Sequence, residues 1–228
     1  MLIGGLQKTT LLDYPDKVAS TVFTIGCNYR CSYCHNPDIV KGVAGVISME
    51  EIMKFLNSRK KVLDAVCITG GEPTIHNDLP DFIAKLKKMN LLVKLDTNGT
   101  NPKMLSDLIK NGLIDYVAMD IKAPWDKYQK VVCRKVNTED LKKTIKTVID
   151  SGVDHEFRST VLPTLHSKED IIQMAKQVKG AKKYYLQQFR VASDLVSSEF
   201  TDKKPFTKKQ MREIISEFKS WFKDCNLR

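Results

Sequence analysis

Short apolar runs alternate along this chain with segments whose apolar side chains recur three or four positions apart. The runs, rich in β-branched or apolar residues, cover 19–26, 65–70, 91–96, 116–122, 155–162 and 183–189 and predict six strands. Between them, Ile52, Phe55 and Leu56, and then Phe82, Ile83 and Leu86, share one face of a helix. Helix starts carry their own signals. Ser48 with Glu51, Ser167 with Asp170 and Thr207 with Gln210 have capping-box spacing, and Asn101-Pro102 supplies a cap followed by a first-turn proline. Strands separated by helical crossovers make a parallel sheet, which right-handed connections curl into a barrel or wind into an open sheet. At 228 residues the chain is short for a complete eightfold barrel, which takes ~250.

In either architecture ligands gather at the carboxyl ends of the strands. The sequence concentrates its chemistry there. Cys27 follows the first predicted strand, Gly70-Gly71-Glu72 ends the second and Asp96-Thr97-Asn98-Gly99 ends the third. Asp120 and Lys122 end the fourth, and Gln187-Gln188 lie late in the sixth. Buried glutamines are costly without partners, so these two are site candidates as well.

The segment from Cys27 to His35 spaces three thiols, Cys27, Cys31 and Cys34, by four and then three positions. An iron–sulfur cubane has four irons, so three cysteine ligands would leave one iron open for a chelating ligand. Other readings use the same residues. A Cys3His zinc site would recruit His35, although adjacent Cys34 and His35 are awkward partners on one tetrahedral ion. Cys31-x-x-Cys34-His35 also matches a c-type haem attachment, and Cys31 with Cys34 a thioredoxin-like pair that leaves Cys27 unexplained. The N-terminus lacks a signal-peptide pattern and no stretch reaches the ~20 apolar residues of a membrane span, so a cytoplasmic location is expected. In a reducing compartment six cysteines are not expected to form a disulfide framework.

The Cys-x3-Cys-x2-Cys loop, with aromatic Tyr33 before its last cysteine, resembles the cluster loop of the radical S-adenosylmethionine superfamily. Gly70-Gly71-Glu72-Pro73 matches that superfamily's glycine-rich segment. Gly4-Gly5-Leu6-Gln7 through Asp13-Tyr14-Pro15, Cys34-His35-Asn36-Pro37, Asp96-Thr97-Asn98-Gly99 and Tyr185-Leu186-Gln187-Gln188-Phe189 resemble the activating proteins of anaerobic ribonucleoside-triphosphate reductase. One departure is Cys133-Arg134, where the pattern has a small residue and a glycine.

The resemblance implies a radical SAM core: an α/β fold forming a partial (β/α)6 TIM-like barrel of parallel strands. It implies a 4Fe–4S cluster on Cys27, Cys31 and Cys34, with S-adenosylmethionine chelating the open iron. An electron entering the sulfonium would release methionine and a 5′-deoxyadenosyl radical, so no side-chain acid or base is assigned. Gly70 and Gly71 would bring backbone carbonyls to the cofactor's ammonium, with Glu72 as a further acceptor or as a helix cap. Tyr33 and His35 would lie against the adenine, and Asp96, Thr97 and Asn98 would face the ribose. Asp96 with Asp120 is a candidate pair for a monovalent cation. Lys122 and Arg158 are candidates to neutralise the cofactor carboxylate or a partner's loop, and Gln188 is a second-rank cofactor contact.

The implied partner is a glycyl-radical enzyme, anaerobic ribonucleotide reductase in particular, with flavodoxin or ferredoxin as electron donor. The chain is read as one domain over 1–228, with a core of about 16–190 and a C-terminal extension, 191–228, carrying a terminal helix. Lys and Arg exceed Asp and Glu by 37 to 27, a net +10, but the basic residues are dispersed as on a solvated surface, so a nucleic-acid partner is not expected. The alternatives are a radical enzyme acting on another glycyl-radical protein, a small molecule or RNA, and a zinc-binding interaction protein.

Overall fold

The computed structural model describes residues 1–192 and 194–228. The described strands form a single sheet in chain order: β1 (Ile3–Thr10), β2 (Ala19–Thr24), β3 (Ala65–Gly70), β4 (Leu92–Thr97), β5 (Tyr116–Asp120), β6 (Asp154–Val161), β7 (Lys183–Gln188) and β8 (Asp224–Leu227). Strands β2 to β8 run parallel, whereas β1 pairs antiparallel with β2. The six expected strands are β2–β7, and the fold is the expected α/β partial barrel with a strand added at each edge.

Those two edge strands are differences from the sequence reading. β1 mixes glycine and polar residues, and only its ends, Ile3 and Thr10, are buried. β8, Asp-Cys-Asn-Leu, is too short and polar for its pattern to show. Residues 191–228 hold a helix at Lys208–Ser216, and β8 follows it.

Helical crossovers connect the parallel strands. α1 (Pro37–Lys41) and α2 (Met49–Arg59) follow β2, α3 (Leu79–Lys88) follows β3, and α4 (Pro102–Lys110) follows β4. α5 (Tyr128–Val132) and α6 (Thr138–Asp150) follow β5, α7 (Lys168–Gln177) follows β6, and α8 (Lys208–Ser216) follows β7. Ser167 and Thr207 make complete reciprocal capping boxes, and Asn101 caps α4 ahead of Pro102. Ser48 accepts the Glu51 N–H as expected. The strands' apolar residues and the inner helix faces merge into one main core, including Val66, Ile68, Val93, Leu95, Val117 and Phe157.

Candidate cofactor site

The carboxyl ends of the strands surround a cavity of ≈ 220 Å³. Cys27, Cys31 and Cys34 line one wall on the loop between β2 and α1. Gly26, with φ +93°, turns the chain out of β2, and the Cys34 N–H closes a turn on the Cys31 carbonyl at 3.0 Å. The neighbouring tyrosines anchor the loop: Tyr29 packs on Tyr128, and Tyr33 meets Phe189 edge-on at 6.5 Å. Backbone bonds from Val196 to Cys34 and from Ser197 to Ser32 brace it from outside. That brace comes from the segment read as an extension, and no spacing rule points to it.

The glycine segment shapes the opposite wall. Gly70 has φ +112°, and a Cβ there would lie 2.5 Å from the Thr24 nitrogen. At Gly71 a Cβ would lie 1.8 Å from the Gly26 carbonyl oxygen. Both positions require glycine because β3's end presses directly on the start of the cysteine loop. Gly71 N–H bonds to Thr24 and Glu72 N–H to Gly26, at 2.9 and 2.8 Å.

Glu72 differs from the expectation that it faces a cofactor. Its side chain is fully buried and does not line the cavity. One carboxylate oxygen accepts from Thr74 N–H (3.1 Å), Thr74 hydroxyl (2.5 Å) and Thr97 hydroxyl (2.7 Å), and the other accepts from Asn98 N–H (2.6 Å). Burial pushes its pKa up against these four donors. Glu72 is thus a cap, as the alternative reading had it, and it also ties the end of β3 to the end of β4. Asn98 continues the tie to the cysteine loop by donating to the Asn28 side chain at 2.8 Å. Thr97 and Asn98 line the cavity.

Asp96, Asp120, Lys122 and Arg158 converge at the floor. Arg158 donates to Asp120 through Nε (2.9 Å) and to Asp96 through a terminal nitrogen (3.1 Å). Lys94 bonds the other Asp96 oxygen at 2.6 Å, and Lys122 the other Asp120 oxygen at 3.0 Å. Burial alone would raise both carboxyls, but the adjacent cations outweigh it: Asp96 is lowered, and Asp120 falls to about 2. The cation reading of this pair is therefore corrected, because the guanidinium of Arg158 occupies the position between the two carboxylates. Cys67, buried beneath, lies 3.8 Å from the Lys94 ammonium.

His35 lines the cavity, stacks on Phe189 at 5.5 Å and bonds the Arg190 carbonyl through Nε2 at 2.6 Å. A carbonyl only accepts, so Nε2 carries a hydrogen. Gln188 lies away from the cavity; its amide donates to the Phe206 carbonyl at 2.6 Å. Sequence reasoning missed Tyr29, Val40, Thr69 and Thr160 on the walls: Tyr29 occupies an unspecified position of the cysteine loop, and the other three lie outside every motif. At the departure from the family pattern, Cys133 takes a left-handed conformation, φ +53°, at the end of α5. That is a conformation glycine favours.

Burial pushes the thiols of Cys27 and Cys31 up, to about 11 and about 12. Both would release protons on binding iron. Among the described residues no three His, Cys, Asp or Glu side chains are placed to hold a single metal ion. The described residues therefore hold no preformed Cys3His zinc site. Three thiols on one cavity without a fourth ligand instead suit an inorganic core that keeps one iron open.

Residues 21–178 match the family described as the radical SAM superfamily. This chain belongs to that superfamily. Its cofactors are accordingly a 4Fe–4S cluster and S-adenosylmethionine. Within the superfamily it groups with the glycyl-radical enzyme activating enzymes. It is 38% identical over 93% of its length to a protein of Methanocaldococcus jannaschii named as such an enzyme, and covers 90% of that protein. It is 30% identical over 79% of its length to the pyruvate formate-lyase-activating enzyme of Clostridium pasteurianum, covering 77% of it. Streptococcus suis SuiB bound to S-adenosylmethionine shares the fold, with a TM-score of 0.67 at 15% identity over 90% of this chain. The radical SAM chain spans about half, 48%, of the SuiB chain. No helix among the described residues is long and apolar enough to cross a membrane.

Proposed function

We propose that this radical SAM enzyme generates a glycyl radical on a partner enzyme and that the partner is an anaerobic ribonucleoside-triphosphate reductase. The observation that carries the reading is the three-thiol cavity at the barrel mouth, in a chain aligned over nearly its whole length with an activating enzyme. When bound, the cluster and S-adenosylmethionine supply an electron and a hydrogen-abstracting carbon radical. The residues of the chain hold, orient and shield.

Cys27, Cys31 and Cys34 are the cluster ligands in this reading. Gly70 and Gly71 let the β3 terminus approach closely enough to form the cavity wall, and Glu72 fixes Thr97 and Asn98 from behind. Tyr33 and His35 present aromatic faces, suited to an adenine ring. The floor presents Lys122 and Arg158, held by Asp120 and Asp96, as the cations available to a cofactor carboxylate. Exclusion of water protects a carbon radical from stray hydrogen donors, and the apolar packing behind Tyr29 and Tyr33 serves that end. Flavodoxin or ferredoxin would deliver the electron, in the cytoplasm.

The test is anaerobic reconstitution followed by reduction and incubation with purified glycyl-radical enzymes. The expected result is a glycyl-radical electron paramagnetic resonance signal on the reductase, with stoichiometric 5′-deoxyadenosine. Release of 5′-deoxyadenosine stimulated by RNA and by no glycyl-radical protein would refute the client. Failure to bind about four irons where zinc binds would refute the cluster itself.

A further inference from the structure

Inside the barrel, side chains from neighbouring strands stack in layers. β6 contributes Glu156, Arg158 and Thr160 at alternate positions, and Tyr185 and Gln187 of β7 stand opposite Arg158 and Thr160 in the register. The layers below Thr160 are filled. The Arg228 guanidinium covers the Tyr185 ring at 3.7 Å and bonds Glu156 at 2.7 Å, while the Tyr185 hydroxyl is spent on Asp224. Thr160 and Gln187 therefore top this side of the stack, at the carboxyl ends of their strands.

The fold leaves Gln187 partly unused. Its Oε1 accepts the Thr160 hydroxyl at 3.3 Å, whereas its Nε2 donates to no atom of the described residues. The next residue, Gln188, faces the other way and has its amide committed to the Phe206 carbonyl. Gln187 is half-buried, so its free end can still be reached. A polar side chain turned inward with an idle donor is not explained by packing, since an apolar one would fill the same place at no cost in hydrogen bonds.

Its position supplies the second observation. The cysteine cavity is lined from the β2 loop round through β3, β4 and β5 to Arg158 and Thr160 of β6, and no residue of β7 lines it. Beyond β7 comes β8, the end of the sheet, which is not hydrogen-bonded to β1. Gln187 thus stands between the last wall of the cavity and the open side of the barrel. The floor cations are each held by a carboxylate, so Gln187 adds what they do not, a neutral donor with no partner.

Resting on the reading of this chain as a glycyl-radical activase, we propose that Gln187 is a substrate-positioning residue whose amide hydrogen-bonds a main-chain peptide group next to the target glycine, holding that segment at the open side of the cavity. A primary amide carries the same donor and acceptor as the peptide group it meets. Nε2 donates to a main-chain carbonyl, and the second lone pair of Oε1 accepts a main-chain N–H. Glycine has no side chain to grip, so its segment is held through the backbone.

The test uses the cluster-loaded full chain with purified glycyl-radical enzymes. Gln187→Met removes both polar atoms at similar size, and Gln187→Glu keeps the shape but not the NH2 donors. Each is expected to raise the KM for the partner enzyme about tenfold and to lower the yield of glycyl radical per 5′-deoxyadenosine. Bound iron, the unfolding midpoint and the affinity for S-adenosylmethionine, measured by equilibrium dialysis without the partner, are expected to match the wild type. An unchanged KM in either variant would overturn the proposal. So would weakened S-adenosylmethionine binding, which would make Gln187 a cofactor contact, or a lowered midpoint with KM unmoved, which would make it structural. A wild-type chain that activates no glycyl-radical enzyme would overturn the activase reading together with this one, whereas an active wild type with unaltered variants would overturn the role of Gln187 alone.

Discussion

Replacing Arg158 by Met removes the group that joins the two floor carboxylates. Arg158 is 13% exposed and contacts Asp96 and Asp120 at 3.1 and 2.9 Å, with Glu156 at 3.9 Å. Removing one partner of a buried pair costs about 3–5 kcal/mol, because the remaining charge is left uncompensated. Here Asp96 keeps Lys94 and Asp120 keeps Lys122, so the lower end, about 3 kcal/mol, is expected. The sign of the pH dependence follows from Asp120, whose carboxyl is lowered from 3.8 to about 2. A lowered carboxyl stabilises the fold above its unfolded value and loses that contribution as pH falls through its folded value; for this shift it is worth about 2 kcal/mol. Urea unfolding of the cluster-free protein should therefore show the full deficit of Arg158→Met near neutral pH. The gap to the wild type should narrow as pH falls from about 4 toward 2. A deficit below about 1 kcal/mol that does not change with acid would show Arg158 to be an ordinary solvated ion pair and would refute the reasoning.

Four further outcomes follow from the cavity walls and from the residue behind them. Gly71→Ala puts a methyl 1.8 Å from the Gly26 carbonyl, so it should destabilise by about 1–3 kcal/mol or more and lower iron retention; chemical denaturation and iron analysis check both, and an unaltered protein would show that the two loops are free to part. Glu72→Gln turns an amide NH2 toward the Thr or Asn98 donors, and should cost about 1–3 kcal/mol while speeding exchange of the Asn98 amide. With Cys27 and Cys31 held at about 11 and about 12, both thiols are protonated at neutral pH, so iron uptake should release protons and strengthen as pH rises. Alanine at Cys27, Cys31 or Cys34 should abolish the cluster's visible absorption and reduce bound iron well below about four per chain; pH-independent loading or a retained cluster would contradict the ligand set.

The legible parts of this molecule are those set by local rules. The six central strands declare themselves because each is an apolar run bounded by a capped helix, and burial on both faces leaves little choice of residue. The cysteine loop and the glycine segment are equally plain, since thiols and glycines in fixed spacing answer to metal ligation and close backbone approach. What escaped depends on partners distant in the chain. β1 is a strand because β2 has a free edge to pair, not because Gly4-Gly5 favours extension, and β8 depends in the same way on β7. Gln188 belongs to a polar motif on a strand, and only the fold shows its amide spent on Phe206.

Glu72 and Arg158 carry the same lesson into the site. Each stands where a motif or strand end suggests a contact with ligand, and strand order does bring both near the cavity. Their charges, however, are already committed: Glu72 to the donors of Thr74, Thr97 and Asn98, and Arg158 to Asp96 and Asp120. A buried charge needs neighbours before it can serve a ligand, because leaving it unpaired costs more than most single contacts return. Glu72 accordingly acts on the cavity only through the residues it holds. Arg158 lines the cavity itself, so it sets both the floor's net charge and the anchoring of Asp96. Among the described residues Lys122 is paired with Asp120 alone, so Lys122→Met should lose less stability than Arg158→Met but more affinity for S-adenosylmethionine, and the two cations then divide the work: the guanidinium builds the floor and the ammonium meets the cofactor.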